Sequence, residues 1–137
     1  IMERSLRTDS GGPGRWRGGL GHRLVVRADD RAVEGDLRFA PFFDRTRVAA
    51  PGRDGGHPGG LGDYCLRPGV DAPDAEVQRP HPKATTFVSP GADIVMDLPG
   101  GGGIGDPRDR DPAHVVADLR DGYISPEAAR ETYAHNP

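Results

Sequence analysis

Asp9-Ser10-Gly11-Gly12-Pro13 sets a serine among glycines whose backbone N–H groups suit an oxyanion hole, the pattern of a nucleophile segment. A serine nucleophile needs a base within hydrogen-bond reach, and His22 is the only histidine nearby. The chain order argues against a protease of the trypsin type. That type needs its histidine and aspartate upstream, the eight residues given before Asp9 hold neither, and Thr8 stands where glycine is expected.

Gly100-Gly101-Gly102-Gly103-Ile104-Gly105 satisfies the spacing GxGxxG. A dinucleotide loop must open a helix whose N-terminus meets the pyrophosphate. Here Asp106-Pro107 follows, and the first helix signal waits until Pro112. No Gly-Lys-Ser/Thr occurs, which excludes a Walker loop. Two readings stay open for Gly101, Gly102 and Gly103: their N–H groups approach a ligand or partner closely, or they approach another segment of the protein.

Arg15-Trp16-Arg17-Gly18-Gly19 has the composition of an RNA-binding arginine-glycine segment, but it occurs once, in an acidic chain. The favoured expectation is that Trp16 anchors the core while its flanking arginines are solvated or paired. Arg15 and Arg17 remain candidates for anion or partner contact. His57, Asp63 and His81 lack the i, i+3 or i, i+4 spacing of helix-borne metal ligands, so no metal site is assigned. Cys65, the lone cysteine, reads as a small buried hydrophobe.

The elements that must carry these residues are short. Strands are expected at Leu20 to Ala28, Asp63 to Arg67, Ala84 to Val88 and Ala92 to Leu98, with Ser89-Pro90-Gly91 turning between the last two. Val33, Leu37 and Phe39 alternate, which suggests a hairpin with the first strand across Asp29-Asp30-Arg31. Two glycine-rich loops cover 8 to 21 and 51 to 62, and a third surrounds the tetraglycine. The C-terminal signals are sharper. Asp111 caps a helix opened by Pro112, with Val115, Val116 and Leu119 as its apolar stripe and Gly122 as its stop. Ser125 and Pro126 start a second helix through Ala134, with Tyr133 as the docking residue. The expected fold class is α+β: mainly β strands with glycine-rich loops and two short C-terminal helices. A strand and loop part at 1–107 precedes a helical tail at 108–137.

Composition narrows the function classes. Gly contributes 21 and Pro 14 of 137 residues, while Leu, Ile, Val and Phe together number only 26, a thin apolar set close to the range of disordered chains. The formal net charge of -3 lacks the large charge imbalance that accompanies disorder. The chain therefore reads as ordered but short of core. Arginine supplies 17 of the 18 basic residues, interspersed with acids, so no basic stripe marks a nucleic-acid partner. No apolar run long enough to span a membrane and no secretory leader is seen, and one cysteine builds no disulfide framework. These features favour the cytoplasm.

Ser5-Leu6-Arg7-Thr8-Asp9-Ser10-Gly11-Gly12-Pro13-Gly14-Arg15-Trp16-Arg17-Gly18-Gly19-Leu20-Gly21 and Leu98-Pro99-Gly100-Gly101-Gly102-Gly103-Ile104-Gly105-Asp106-Pro107 come first. Arg110-Asp111-Pro112 and Asp121-Gly122-Tyr123-Ile124-Ser125-Pro126-Glu127-Ala128-Ala129 follow. Together they resemble the C-terminal region of the hydantoinase B/oxoprolinase family. The resemblance covers nearly the whole chain and is weakest at 29 to 80. Ile104 stands where an aromatic is usual, and Ala134-His135-Asn136-Pro137 lacks the usual Tyr-Gly ending.

The resemblance implies that these residues are the C-terminal part of a B subunit several times longer. That subunit serves an ATP-dependent enzyme opening 5-oxoproline or hydantoin-type rings. An A-type subunit phosphorylates the substrate and the B subunit handles hydrolysis. ATP and a divalent metal belong to the whole complex, with the metal ligands upstream of Ile1 and none expected here. Partners are the A-type subunit and the remainder of the B subunit, without nucleic acid or membrane. Asp9 and Asp106 are the catalytic candidates, with Arg15, Arg17, Gly101, Gly102 and Gly103 as substrate- or partner-binding candidates. The alternatives are a B-type subunit of an acetone or acetophenone carboxylase, and a non-catalytic assembly module or truncated remnant.

Overall fold

The computed structural model describes residues 1–31, 35–69, 72–73 and 76–135. Among the described residues there are six strands: β1 (Glu3–Leu6), β2 (His22–Arg27), β3 (Leu37–Phe39), β4 (Asp63–Arg67), β5 (Thr86–Val88) and β6 (Asp93–Asp97). A four-stranded antiparallel sheet has the order β1-β2-β6-β4, and β3 pairs with β5 in a second, two-stranded sheet. Helices α1 (Pro112–Arg120) and α2 (Pro126–Glu131) close the chain. Among the described residues no helix is long and apolar enough to cross a membrane.

Alternation along the strands sorts the side chains of the larger sheet. Leu24, Met96 and Tyr64 share one register row and Val26, Ile94 and Leu66 another, both on one face. The core of Ala28, Leu66, Val88, Ala92 and Ile94 gathers there, with Leu37, Phe39 and Met96 packed against it. The Tyr64 ring stacks on Phe43 at 5.0 Å and meets Phe39 edge-on at 6.1 Å. On the opposite face, Arg23 binds Asp97 in a fork of 2.8 and 2.7 Å, and Arg27 binds Asp93 with 2.7 and 2.8 Å. These pairs frame the row Val25, Val95 and Cys65, and Cys65 is buried as expected.

The Asp97 carboxyl is held below its ordinary value, first by its hydrogen bond to Arg23. Its stabilising contribution is therefore complete above the unfolded carboxylate pKa and disappears as pH falls through the lower folded value. Because Arg23 is half exposed, the effect is modest, about 1 kcal/mol or less. Urea midpoints followed from neutral to acid pH should fall less steeply for Asp97→Asn than for the parent chain. Equal slopes would remove this pair from the acid response.

Four strand expectations hold within two residues at each end: β2, β4, β5 and β6. The hairpin does not. β2 is flanked by β1 and β6, whereas β3 joins β5 in the other sheet. Val33, one of its alternating residues, lies outside the described residues, as do Asn136 and Pro137 of the ending. The turn at Gly91 (φ +82°) joins strands of different sheets. β1 carries no alternation that would reveal it, since all four residues are exposed.

Both helix starts are as the caps indicate. The Asp111 carboxylate accepts the Ala113 N–H at 2.8 Å, and the Ser125 hydroxyl accepts the Ala128 N–H at 3.0 Å. Gly122, at φ +72°, takes the left-handed conformation that ends a helix. Val115 and Leu119 pack with Ile124, Ala129 and Tyr133 in a small core of their own. Val116 is exposed, a correction to the stripe: α1 packs through a narrow face against the short α2. α2 stops at Glu131, earlier than expected, yet Tyr133 is buried as the docking residue.

Candidate functional site

The three glycine-rich loops converge into one bundle. The 98–105 segment bonds to 10–21 and to 50–60, and these two bond to each other. The Gly12 N–H donates to Gly101 O (2.8 Å), Gly101 N–H to Gly19 O (2.9 Å) and Gly103 N–H to His57 O (3.0 Å). The His57 N–H donates to Pro13 O (2.7 Å), Gly60 N–H to Ser10 O (2.7 Å) and Gly100 N–H to Gly60 O (3.0 Å). A Cβ on Gly12, Gly18, Gly56, Gly59, Gly100, Gly102 or Gly103 would overlap backbone of the neighbouring segment. Backbone-to-backbone approach is thus what the tetraglycine provides. Gly101 is the exception in the run, with its nearest neighbour at an ordinary 3.4 Å from a built Cβ.

Trp16 is not a core anchor. It is 59% exposed, and its backbone bonds reciprocally to Ile104, itself exposed, within the glycine bundle. The Arg15 guanidinium lies 5.9 Å from the Trp16 ring centroid in a cation–π arrangement, itself exposed. Ser10 is buried. Its Oγ donates to Arg7 O (2.6 Å) and accepts the Gly21 N–H (2.8 Å), so the hydroxyl ties the bundle together.

Most remaining candidates meet at the seam between bundle and helices. Asp9, at φ +60°, receives the Ser125 N–H at 2.9 Å and donates its own N–H to Tyr123 O at 3.0 Å. The Thr8 hydroxyl donates to Gly122 O at 2.7 Å. Arg17 binds Asp118 with Nε–Oδ2 3.0 Å and stacks over Tyr123 at 5.5 Å. Arg110 donates to the same Asp118 Oδ2 at 2.8 Å and to Arg15 O at 3.2 Å. Asp106 caps a 3-10 turn at Pro107–Asp109 by accepting the Arg108 N–H at 2.9 Å. Asp118 and Arg110 were not among the sequence candidates; only their partners 101 and 95 residues away in the chain reveal their role.

A cleft of about 270 Å³ opens between the Asp9 loop and α2, lined by Asp9, Gly11, Pro13, Ser125, Glu127, Glu131 and Tyr133 among others. Of the sequence candidates it holds Asp9 and no arginine. Burial pushes the Tyr133 phenol up from its ordinary pKa, and its hydroxyl has no hydrogen-bond partner among the described residues. The lining offers no histidine, cysteine or lysine beside its serine. This arrangement supports positioning rather than nucleophilic chemistry. Among the described residues no three His, Cys, Asp or Glu side chains are grouped to hold a metal ion. The Gly100, Gly101 and Gly103 amides already bond to protein carbonyls, so the run offers no free cradle for phosphates. No step is assigned to ATP or to a divalent ion at these residues.

The chain is 36% identical over 97% of its length to the caprolactamase subunit beta of Pseudomonas jessenii, of which it covers 22%. It superposes on the crystal structure of the ATP-dependent caprolactamase of that organism with a TM-score of 0.72 at 30% identity, covering 97% of this chain and 22% of that one. A nucleotide-free acetone carboxylase structure shares the fold, with a TM-score of 0.71 at 20% identity over 96% of this chain and 21% of that one. The chain spans about a fifth of the length of the curated relatives it matches over nearly its whole extent. The family model for hydantoinase B/oxoprolinase matches residues 1–107, which hold both sheets and the entire glycine bundle, and the chain belongs to that family.

Proposed function

We propose that the chain acts as the C-terminal part of a B-type subunit in an ATP-dependent cytoplasmic enzyme that opens cyclic amides of the 5-oxoproline and hydantoin type. The observation that carries this reading is the 36% identity, over nearly the whole chain, to a subunit named for a caprolactam substrate, itself a cyclic amide. The caprolactamase on whose structure the chain superposes is ATP-dependent. In this reading an A-type subunit activates the substrate with ATP, and the rest of the B subunit supplies the metal site.

In this reading the strand and loop part is braced by helices α1 and α2. Asp9, Asp106, Arg15 and Arg17 shape and fasten the bundle, while Gly101, Gly102 and Gly103 carry its centre to the site or to a partner. The test is co-expression of the complete reading frame carrying these residues with its A-type partner. Ring opening of 5-oxoproline, hydantoin and caprolactam is then followed with and without ATP, beside ATP-dependent carboxylation of acetone. Ring opening that requires ATP is the expected result. Carboxylation alone, or a folded complex with neither activity, would overturn the reading.

A further inference from the structure

We propose that β1 is an interior strand of a larger sheet, paired on its outer side by an extended segment of the same B-type subunit lying outside residues 1–137. This rests on the reading that the chain works as part of a longer subunit.

Hydrogen-bond parity defines the edge. The Leu98 N–H donates to His22 O and the Ala28 N–H to Ala92 O, so the even-numbered residues of β2 face β6. The Arg7 N–H donates to Gly21 O, so odd-numbered residues on this side face β1. Glu3 and Ser5 therefore pair with β2, the Met2 N–H also donates inward to Val25 O at 2.8 Å, and Arg4 and Leu6 turn their N–H and C=O groups outward. Those groups have no backbone partner among the described residues.

The opposite edge is treated differently. There the same parity turns Leu66 of β4 outward, and Gln78 closes it with reciprocal bonds of 2.9 and 3.0 Å. Leu66 is thus closed by the chain itself, whereas no outward group of β1 is closed among the described residues. Every β1 residue is exposed, and so are the apolar Ile1 (84%), Met2 (56%) and Leu6 (46%). An edge with unpaired backbone and exposed apolar side chains is a template for strand addition. The occupant follows from length. The relatives are roughly five times longer than this chain, so most of such a subunit lies elsewhere and can supply the strand.

Amide hydrogen exchange on the complete subunit in its purified complex tests this. The Arg4 and Leu6 amides should exchange at least about 100-fold more slowly than open amides, like those of Glu3 and Ser5. Arg4→Pro removes an outward donor without touching the β1·β2 ladder, since proline is accepted in an edge strand where the N–H faces away. It should lower Leu6 protection at least about tenfold while Tyr64 to Leu66 stay protected, which shows that the sheet remains folded. Open-rate exchange at Arg4 and Leu6 beside a protected Ser5 would overturn the proposal. So would protection that grows with protein concentration, because a second copy would then occupy the edge. Protection at Arg4 and Leu6 in a complex without ring-opening activity keeps this inference and fails only the functional reading.

Discussion

Gly100→Ala is expected to abolish the folded state or leave it more than about 3 kcal/mol less stable, beyond the usual range for an overpacked core residue. The reason is what the new methyl would meet. A Cβ at Gly100 overlaps the Ser10 carbonyl, which is backbone and itself accepts the Gly60 N–H, so relief means parting two bonded segments of the bundle. Flexible side chains can move aside, but this carbonyl cannot. Gly102→Ala should behave alike against the Pro51 carbonyl. Gly101→Ala supplies the contrast, because its Cβ meets nothing closer than 3.4 Å and its φ lies outside the left-handed range. It should change stability by less than about 1 kcal/mol, with a small gain from the stiffer unfolded chain as one contribution. Urea or thermal unfolding of the three variants decides the matter. Equal losses at Gly100 and Gly101 would show that the bundle needs glycine for some reason other than close approach.

Asp118→Ala should cost about 3–5 kcal/mol, the range for breaking a buried ion pair. Asp118 is the shared counter-charge of Arg17 and Arg110, and the three side chains are only 9%, 13% and 9% exposed in that order. Removing the carboxylate leaves two guanidinium groups close together, away from water and without compensation. Total stability for a domain is only about 5–15 kcal/mol, so the helices should detach from the bundle well before the sheet unfolds. Proteolysis near Arg110 and early loss of Tyr133 burial would report that detachment. A triple change, Arg17→Met with Arg110→Met and Asp118→Leu, removes all three charges and should recover much of the loss, since apolar replacements of buried ion clusters are often neutral. If Asp118→Ala unfolds no more readily than the parent, the seam is held by the Asp9 and Thr8 bonds to 122–125 instead.

The candidate site shows why single residues were easier to find than their roles. Asp9 and Arg17 stand out as charges within a glycine-rich loop, and both engage the helical tail. Their partners, the Ser125 amide and the Asp118 carboxylate, lie more than a hundred residues along the chain. Trp16 misleads for a related reason. Tryptophan is usually buried, but Trp16 bridges to the exposed Ile104 and stays 59% exposed, and that pairing could be known only after the loops were brought together. The tetraglycine admitted ligand contact or packing equally, because glycine permits close approach without specifying what approaches.

The sequence by itself determined what depends on near neighbours: the Asp111-Pro112 and Ser125-Pro126 starts, the Gly122 stop, and the strands at β2, β4 and β6, whose apolar runs are bounded by charge. Its motif order also carried the family. Only the tertiary structure decided that β2 joins β1 and β6 rather than β3, that three loops share one bundle, and that Asp118 binds two arginines. Caps and stops are satisfied within a turn or two of backbone. Strand partners and buried counter-charges are chosen by closing long loops so that every buried donor and charge is matched, and the pattern of adjacent residues does not contain that choice.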